Sequence, residues 1–254
     1  MTRKDIFDAA LRQAAIDSGC APEDFTCGRN IVVPAKKDLR ARRYLQLPFL
    51  MDLTSYGGSV VASCSSGFED IAREYISSGN PESLFETPKV SSLNEKLRPL
   101  GAGVCFMAEY WLPDPDKIPS PSCQYELRLL EGGELLGLYM PQWGNALCKT
   151  RSYLDRLAMG AYDSGKLVAL AGCSADCDTM WQIGVDVLPE YRGQGLAHTL
   201  TSHLAHEIMA RGIVPFYCCA WSNIPSARNA IKSGFVPAWA QLTVKPLEYI
   251  AKMK

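Results

Sequence analysis

VLPEYRGQGLA, residues 187–197, carries an apolar run past a proline and two glycines into an amphipathic helix. Residues 179–189 read as a strand that Pro189 stops, and 193–211 read as a helix. Leu196, Leu200, Leu204 and Ile208 recur at four-residue spacing, a stripe that packs on a sheet, with Thr199, Ser202, His206 and Arg211 read as the opposite face. The start of this helix is unusual. Gly193 and Gly195 cost backbone entropy, and no Ser, Thr, Asp or Asn stands before the helix to cap it. The first N–H groups of any helix lack internal acceptors, and the helix dipole adds partial positive charge there. Two glycines let several N–H groups converge on one spot, and Arg192 places a permanent cation beside them. The stretch therefore predicts an anion cradle, for which a diphosphate is the natural occupant.

The elements around it alternate. YELRLL (125–130) reads as a strand and GELLGLYMPQWGNALCKT (133–150) as mostly helix. LAMGAYD (157–163) and KLVALAGCS (166–174) flank Ser164–Gly165 as a hairpin. After the 193–211 helix come a strand at 214–221, a helix at 224–234 and one bent strand or a tight pair at 235–244. The second helix opens SNIPSARNAIKSGF, with Asn223 and Ser226 near its N-terminus and Pro225 in the first turn, where a missing N–H costs nothing.

The run V-x-P-x-Y-R-G-Q-G-L-A, followed by S-N-x-x-S-A-R-N-A-I-K-S-G-F, resembles the GNAT superfamily of acyl-CoA-dependent N-acetyltransferases. The family signature Q/R-x-x-G-x-G/A falls on Arg192, Gly195 and Ala197, and the resemblance covers roughly 122–254. It implies a mixed, mostly antiparallel central sheet with helices on both faces, an α/β (α+β) fold. It also implies acetyl-CoA as cosubstrate and direct transfer to an amine. Arg192, Gly193, Gln194, Gly195, Leu196 and Ala197 would then bind the coenzyme A diphosphate. Val185 and Val187 would pair with the pantetheine arm as the two flanking strands splay, and Asn223 and Ser226 would line the coenzyme. The resemblance also assigns the Val187 N–H to the carbonyl oxygen of the reacting group.

Two departures stand out. The family's usual tyrosine acid, seven residues after the Asn, falls on Ala230, and the glutamate base of one branch falls on Trp181. The remaining groups are Tyr217, Cys218, Cys219, Ser222, Glu190 and Tyr191, and none of them is singled out as catalyst. Three readings thus stand: an N-acetyltransferase, a non-catalytic acyl-CoA-binding or regulatory module, and a cysteine-based metal or redox protein resting on the ten cysteines.

Residues 1–112 carry no active-site motif. They read as a smaller α+β domain with a helix at 4–18, a hairpin 47–56/59–65 through Gly57–Gly58, helices at 67–77 and 91–101, and a strand at 103–112. LNEKLRPLGAGVCFMAEYWL echoes SARNAIKSGFVPAWAQLTV in its order of Asn, helix, Gly and apolar strand. That leaves a degenerate GNAT-like copy as one reading of this half and an unrelated domain as the other. PDPDKIPSPS (113–122), with four prolines, reads as a linker to the domain 123–254.

Composition sets the outer bounds. The 254 residues are 47% hydrophobic and 21% charged with net charge −1, which gives no electrostatic reason to expect nucleic acid or a membrane surface as partner. No stretch is long and apolar enough to span a membrane, and the charged N-terminus is unlike a signal peptide, so a cytoplasmic location is expected. Ten cysteines read first as small buried hydrophobes rather than a disulfide scaffold. Cys173 and Cys177 could form half of a metal site, but no metal is expected. The implied partner is a small-molecule amine or a protein amino group, and a homodimer is left open.

Overall fold

The computed structural model describes residues 1–253. In chain order its elements are α1 (Arg3–Ser18), β1 (Ile31–Pro34), β2 (Met51–Ser55), β3 (Val60–Cys64), α2 (Glu69–Ser77), α3 (Thr87–Leu97) and β4 (Ala102–Pro113). They continue with β5 (Glu126–Glu131), β6 (Asp155–Asp163), β7 (Lys166–Ser174), β8 (Met180–Val187), α4 (Leu196–Ala210), β9 (Val214–Ala220), α5 (Ile224–Lys232), β10 (Phe235–Pro246) and α6 (Leu247–Lys252). The chain divides into two compact units, residues 1–9 with 111–237 (unit 1) and 10–110 with 238–254 (unit 2). Residues 1–9 and 238–254 thus group across the sequence-based boundary.

In unit 1 the strand order is β5-β6-β7-β8-β9. The first four run antiparallel to their neighbours, and β8 pairs parallel with β9. Ser164 and Gly165, both at positive φ, close the β6–β7 hairpin as a primed turn requires. One sheet face packs its alternate residues, among them Ala169, Ala171, Cys173 and Ile183, against the α4 stripe Leu196, Leu200, Leu204 and Ile208. Thr199 and Ser202, read as lying opposite the stripe, are buried as well. α4 also packs against α5, and the carbonyls of Pro119 and Pro121 lie within 3.3 and 3.0 Å of His206 Nε2 and His203 Nε2. The proline-rich 113–122 stretch has no regular element beyond Pro113, but it is fastened. Asp114 is buried and pairs with Arg3 and Lys117, and Gly234 sits so close to Ile118 that a Cβ there would lie 2.6 Å from its Cα.

The opposite face corrects the sequence reading. Residues 133–150 form no α-helix but part of a series of 3-10 turns at Gly132–Leu138, Pro141–Trp143 and Lys149–Leu154. Gly132, Gly133, Gly137, Pro141 and Gly144 interrupt any two-turn α run. These turns bury Leu135, Trp143, Ala146 and Leu147 against Ala158 and Leu170. Gly172 and Gly184 are cross-strand partners on this face. A Cβ on them would lie 2.1 Å from Ala146 O and 1.9 Å from Asn145 O, so only glycine lets this loop lie on the sheet. Asp186 then fastens it, accepting from the Asn145 N–H at 2.8 Å, the Ala146 N–H at 2.9 Å and Asn145 Nδ2 at 2.6 Å.

In unit 2 the order is β1-β3-β2-β10-β4. The expected hairpin joins β2 to β3, Ser55 facing Val60, and the C-terminal strand returns to pair Ala240–Val244 with Ser55–Met51. α2 and α3 cover one face through Tyr75, Ile76, Leu93 and Leu97. Inside this unit Arg42, 5% exposed, donates from Nε to Asp17 Oδ2 at 2.5 Å. Its guanidinium carbon lies 5.4 Å from the ring centroids of Tyr44 and Tyr110 and 5.9 Å from that of Trp239. Asp52, also buried, accepts from Gln241, Thr243 and Thr54. Burial pushes its carboxyl above the usual range, against the opposing pull of those donors. The echo between 91–112 and 226–245 holds locally. Each is a helix, a glycine at positive φ (Gly101, Gly234) and a 12-residue strand.

Candidate functional site

The site forms where β8 leaves the sheet. β8 and β9 pair only as far as Ile183 opposite Tyr217, after which both strands run on without pairing to each other. The Leu188 N–H donates to Val168 O at 3.0 Å, so it faces β7. Alternation along an antiparallel strand then points the main-chain groups of Val185 and Val187 the other way, into the gap beside β9. Arg192 Nε donates to Val187 O across this opening at 3.1 Å.

A 3-10 turn at Pro189–Tyr191 follows, then Gly193 at φ 79° and Gly195 at φ 83°. The helix begins only at Leu196, three residues after the sequence suggested, so both glycines belong to the loop. Gly195 is the N-cap and makes no side-chain cap. The first N–H of this region to find an acceptor is that of Thr199, which donates to Gly195 O at 3.1 Å. From Gly193 through His198 no backbone N–H has an acceptor among the described residues. α5 starts differently, for Asn223 Oδ1 accepts from the Ser226 N–H at 3.2 Å and Asn223 O from the Ala227 N–H at 3.0 Å. The contrast shows that α4 is open because of its own loop and not because helices here go uncapped.

A pocket of about 260 Å³ opens over these groups. Of the sequence-predicted residues, Val187, Arg192, Gly193, Gly195, Leu196 and Ala197 line it, and Val185, Gln194, Asn223 and Ser226 do not. Gln194 turns its side chain away and accepts from Tyr125 OH at 2.7 Å and Gln124 Nε2 at 3.1 Å, which steadies the loop. Asn223 serves as the α5 cap, and Ser226 Oγ lies 2.9 Å from Tyr217 OH. Sequence reasoning missed His198, Arg228, Asn229 and Lys232, which complete the wall. Arg228 and Lys232 sit one turn apart on α5, a spacing that was readable, but nothing in the sequence showed that this face looks at the loop.

The leftover titratable groups separate by environment. Tyr217 is buried, which raises its phenol, and it also meets Asn229 Nδ2 at 3.5 Å. Tyr191 lines the pocket, and donation to Asp163 Oδ2 at 2.9 Å raises its phenol. Glu190 is lowered by a bond from its own backbone N–H and by Lys166. Cys218 Sγ lies 3.3 Å from Gln182 Nε2, and Cys219 is buried. Ala230 is fully buried and Trp181 half-buried. None of the ten cysteines forms a disulfide. Among the described residues no cluster of His, Cys, Asp and Glu has metal-binding geometry, and no helix is long and apolar enough to cross a membrane.

Residues 152–239 match the family model described as GNAT acetyltransferase. No curated protein matches. Among solved structures, a GCN5-related N-acetyltransferase from Sphaerobacter thermophilus is 14% identical, with 96% of this chain and 93% of that chain covered at a TM-score of 0.50. A GCN5-related N-acetyltransferase from Kribbella flavida is 16% identical (62% and 63% covered, TM-score 0.47). A GNAT-family acetyltransferase from Colwellia psychrerythraea is 16% identical (63% of each chain, TM-score 0.45). This chain spans less than two thirds of the length of several structures it matches. The fold is that of the GNAT class, a mixed and mostly antiparallel sheet with helices. The 152–239 stretch, which matches the GNAT acetyltransferase model, contains the glycine loop.

Proposed function

We propose that this protein is a cytoplasmic N-acetyltransferase that moves an acetyl group from acetyl-CoA to a primary amine of a small molecule or protein. The observation that carries this reading is the run of N–H groups from Gly193 to His198 that the chain itself leaves without acceptors. Six successive donors without acceptors, a helix dipole and Arg192 suit a diphosphate. The parted strands suit an extended, amide-bearing arm, to which Val185 and Val187 offer main-chain groups. When bound, the coenzyme supplies the activated acyl group as a thioester. In this reading the Val187 N–H donates to the thioester carbonyl oxygen, and direct attack by the amine needs no protein nucleophile. Asn223 and Ser226 act on the coenzyme indirectly, by capping α5 and holding Tyr217. Neither nucleic acid, membrane nor metal enters the reaction.

One observation favours a second reading. The positions of the family's acid and base hold buried Ala230 and apolar Trp181, which suits a module that binds acyl-CoA without turning it over. Calorimetric titration with acetyl-CoA, followed by mass spectrometry of an amine panel, separates the two. Saturable binding with acetyl transfer to at least one amine is expected. Binding without transfer to any amine supports the module, and absence of binding overturns both.

A further inference from the structure

Unit 2 buries Arg42 and leaves two other arginines open beside an edge of its sheet. β1 stands first in the strand order and pairs only with β3. The Ala35 N–H donates to Cys64 O at 2.8 Å, so alternation turns the main-chain groups of Val33 and Ile31 toward β3 and those of Val32 away from it. Pro34 closes one end of this edge, for it has no N–H and its carbonyl oxygen lies against Gly19. A cavity of about 660 Å³ opens here, lined by residues 29–32 and by Arg73, Ile76 and Ser77 of α2. Ile31 packs with the α1 cluster and Val32 with the α2 cluster, so a cavity touching both lies at the strand's edge rather than over one face. Asn30 ties α2 to the start of β1. Its Nδ2 donates to Ile76 O at 2.9 Å and Gly79 O at 3.2 Å, and its Oδ1 accepts from the Val60 N–H at 2.9 Å. No carboxylate lines the cavity. Arg29 and Arg73 are both exposed, and neither guanidinium has a hydrogen-bond or ion-pair partner among the described residues. Two acids close to Arg73 in sequence are engaged elsewhere, Glu69 with the Gly67 N–H and Glu74 with Lys96.

An open strand edge suits another strand, and two unanswered arginines suit carboxylates. We infer that the edge of β1 is a docking site for an extended acidic segment of a partner protein, which adds to the sheet beside β1. Its main chain exchanges hydrogen bonds with the Val32 N–H and C=O, and its acidic side chains meet Arg29 and Arg73. A second copy of this chain suits the edge poorly, because pairing β1 with itself would bring two Arg29 side chains to one edge. The site shares no residue with the pocket at α4 and does not depend on the coenzyme reading.

The probes are capped hexapeptides alternating valine with glutamate, a matched set with lysine for glutamate, and an acidic set N-methylated at alternate residues so that it cannot pair with a strand. By fluorescence anisotropy at least one acidic peptide is expected to bind saturably, about tenfold or more tighter than its lysine counterpart. Exchange of the Val32 amide hydrogen should slow in that complex. N-methylation of the peptide and the Arg29→Ala/Arg73→Ala variant are each expected to weaken binding about tenfold. Absence of binding, or equal binding of acidic and basic peptides, overturns the site. Binding that the double variant leaves unchanged overturns it too, and binding indifferent to N-methylation reduces it to an anion site without strand pairing. Val32→Pro removes the outward N–H and keeps the bonds to β3, and light scattering should show an unchanged oligomeric state. A dimer lost in that variant assigns the edge to a second copy and overturns the peptide site. Matching thermal midpoints show that the variants are folded.

Discussion

Each unit contains a strand that runs into a helix through a glycine at positive φ, and the two junctions end in opposite chemistry. Between β8 and α4 the chain offers Arg192 and two such glycines, with no acid in the first helical turn. Between β3 and α2 it offers one, Gly67 at φ 90°, followed at once by Glu69 and Asp70. Glu69 Oε2 accepts from the Gly67 N–H at 2.7 Å, so this junction supplies its own anion. The dipole is common to both helices, and the difference lies in whether the sequence answers it. The contrast extends to the cations, since unit 2 buries Arg42 against Asp17 while unit 1 leaves three cations around an open pocket. A charge answered within the fold serves stability, and one left open is available to a ligand.

The largest effect expected from this contrast is on stability. Arg42→Met leaves Asp17 buried without its ion-pair partner and should cost about 3–5 kcal/mol, read by urea unfolding. Arg228→Ala should stay within about 0.5 kcal/mol. Similar small values for both would mean that the two units do not use charge differently. Next comes the loop. Gly195→Asp places a carboxylate in the cradle and should weaken coenzyme A binding at least roughly 100-fold, with helical circular dichroism kept. Unchanged affinity would reduce the double glycine to a turn.

A smaller effect is expected at the other junction. Glu69→Gln with Asp70→Asn should cost α2 about 0.3–1 kcal/mol each. Coenzyme stoichiometry should remain one per chain, and a second site appearing in this variant would show that the acids alone keep α2 closed. The smallest concerns Asp52. Its folded carboxyl titrates above the unfolded one, so its contribution is fully present below the unfolded value and fades as pH rises through the raised one. Asp52→Asn should flatten the fall in thermal midpoint from about pH 4 upward relative to the parent. A profile parallel to the parent's would place the pH dependence elsewhere.

What the sequence disclosed follows from the range of the interactions. The α4 stripe, the Ser164–Gly165 turn and the glycine loop are local, and each appears where its residues suggest. The 132–154 region misled because Leu135, Trp143 and Leu147 are apolar enough for a helix, while the glycines and Pro141 decide for tight turns. Gly172 and Gly184 were unreadable as a pair, since their meaning depends on strand register and on loop residues 26 and 39 positions away in sequence. The pairing of β10 with β2 across nearly two hundred residues was likewise hidden, because an alternating strand does not name its neighbour. Arg228 and Lys232 were visible as charges, and only the fold shows what they face.

The unanswered donors of α4 also give the site a signature in time. Amide hydrogens without acceptors exchange with solvent almost as fast as in an unfolded chain, even beside a stable core. The hydrogens from Gly193 to His198 should therefore be lost early in deuterium, ahead of those deeper in α4. Whatever settles there would slow all six together, so the helix reports its own occupancy.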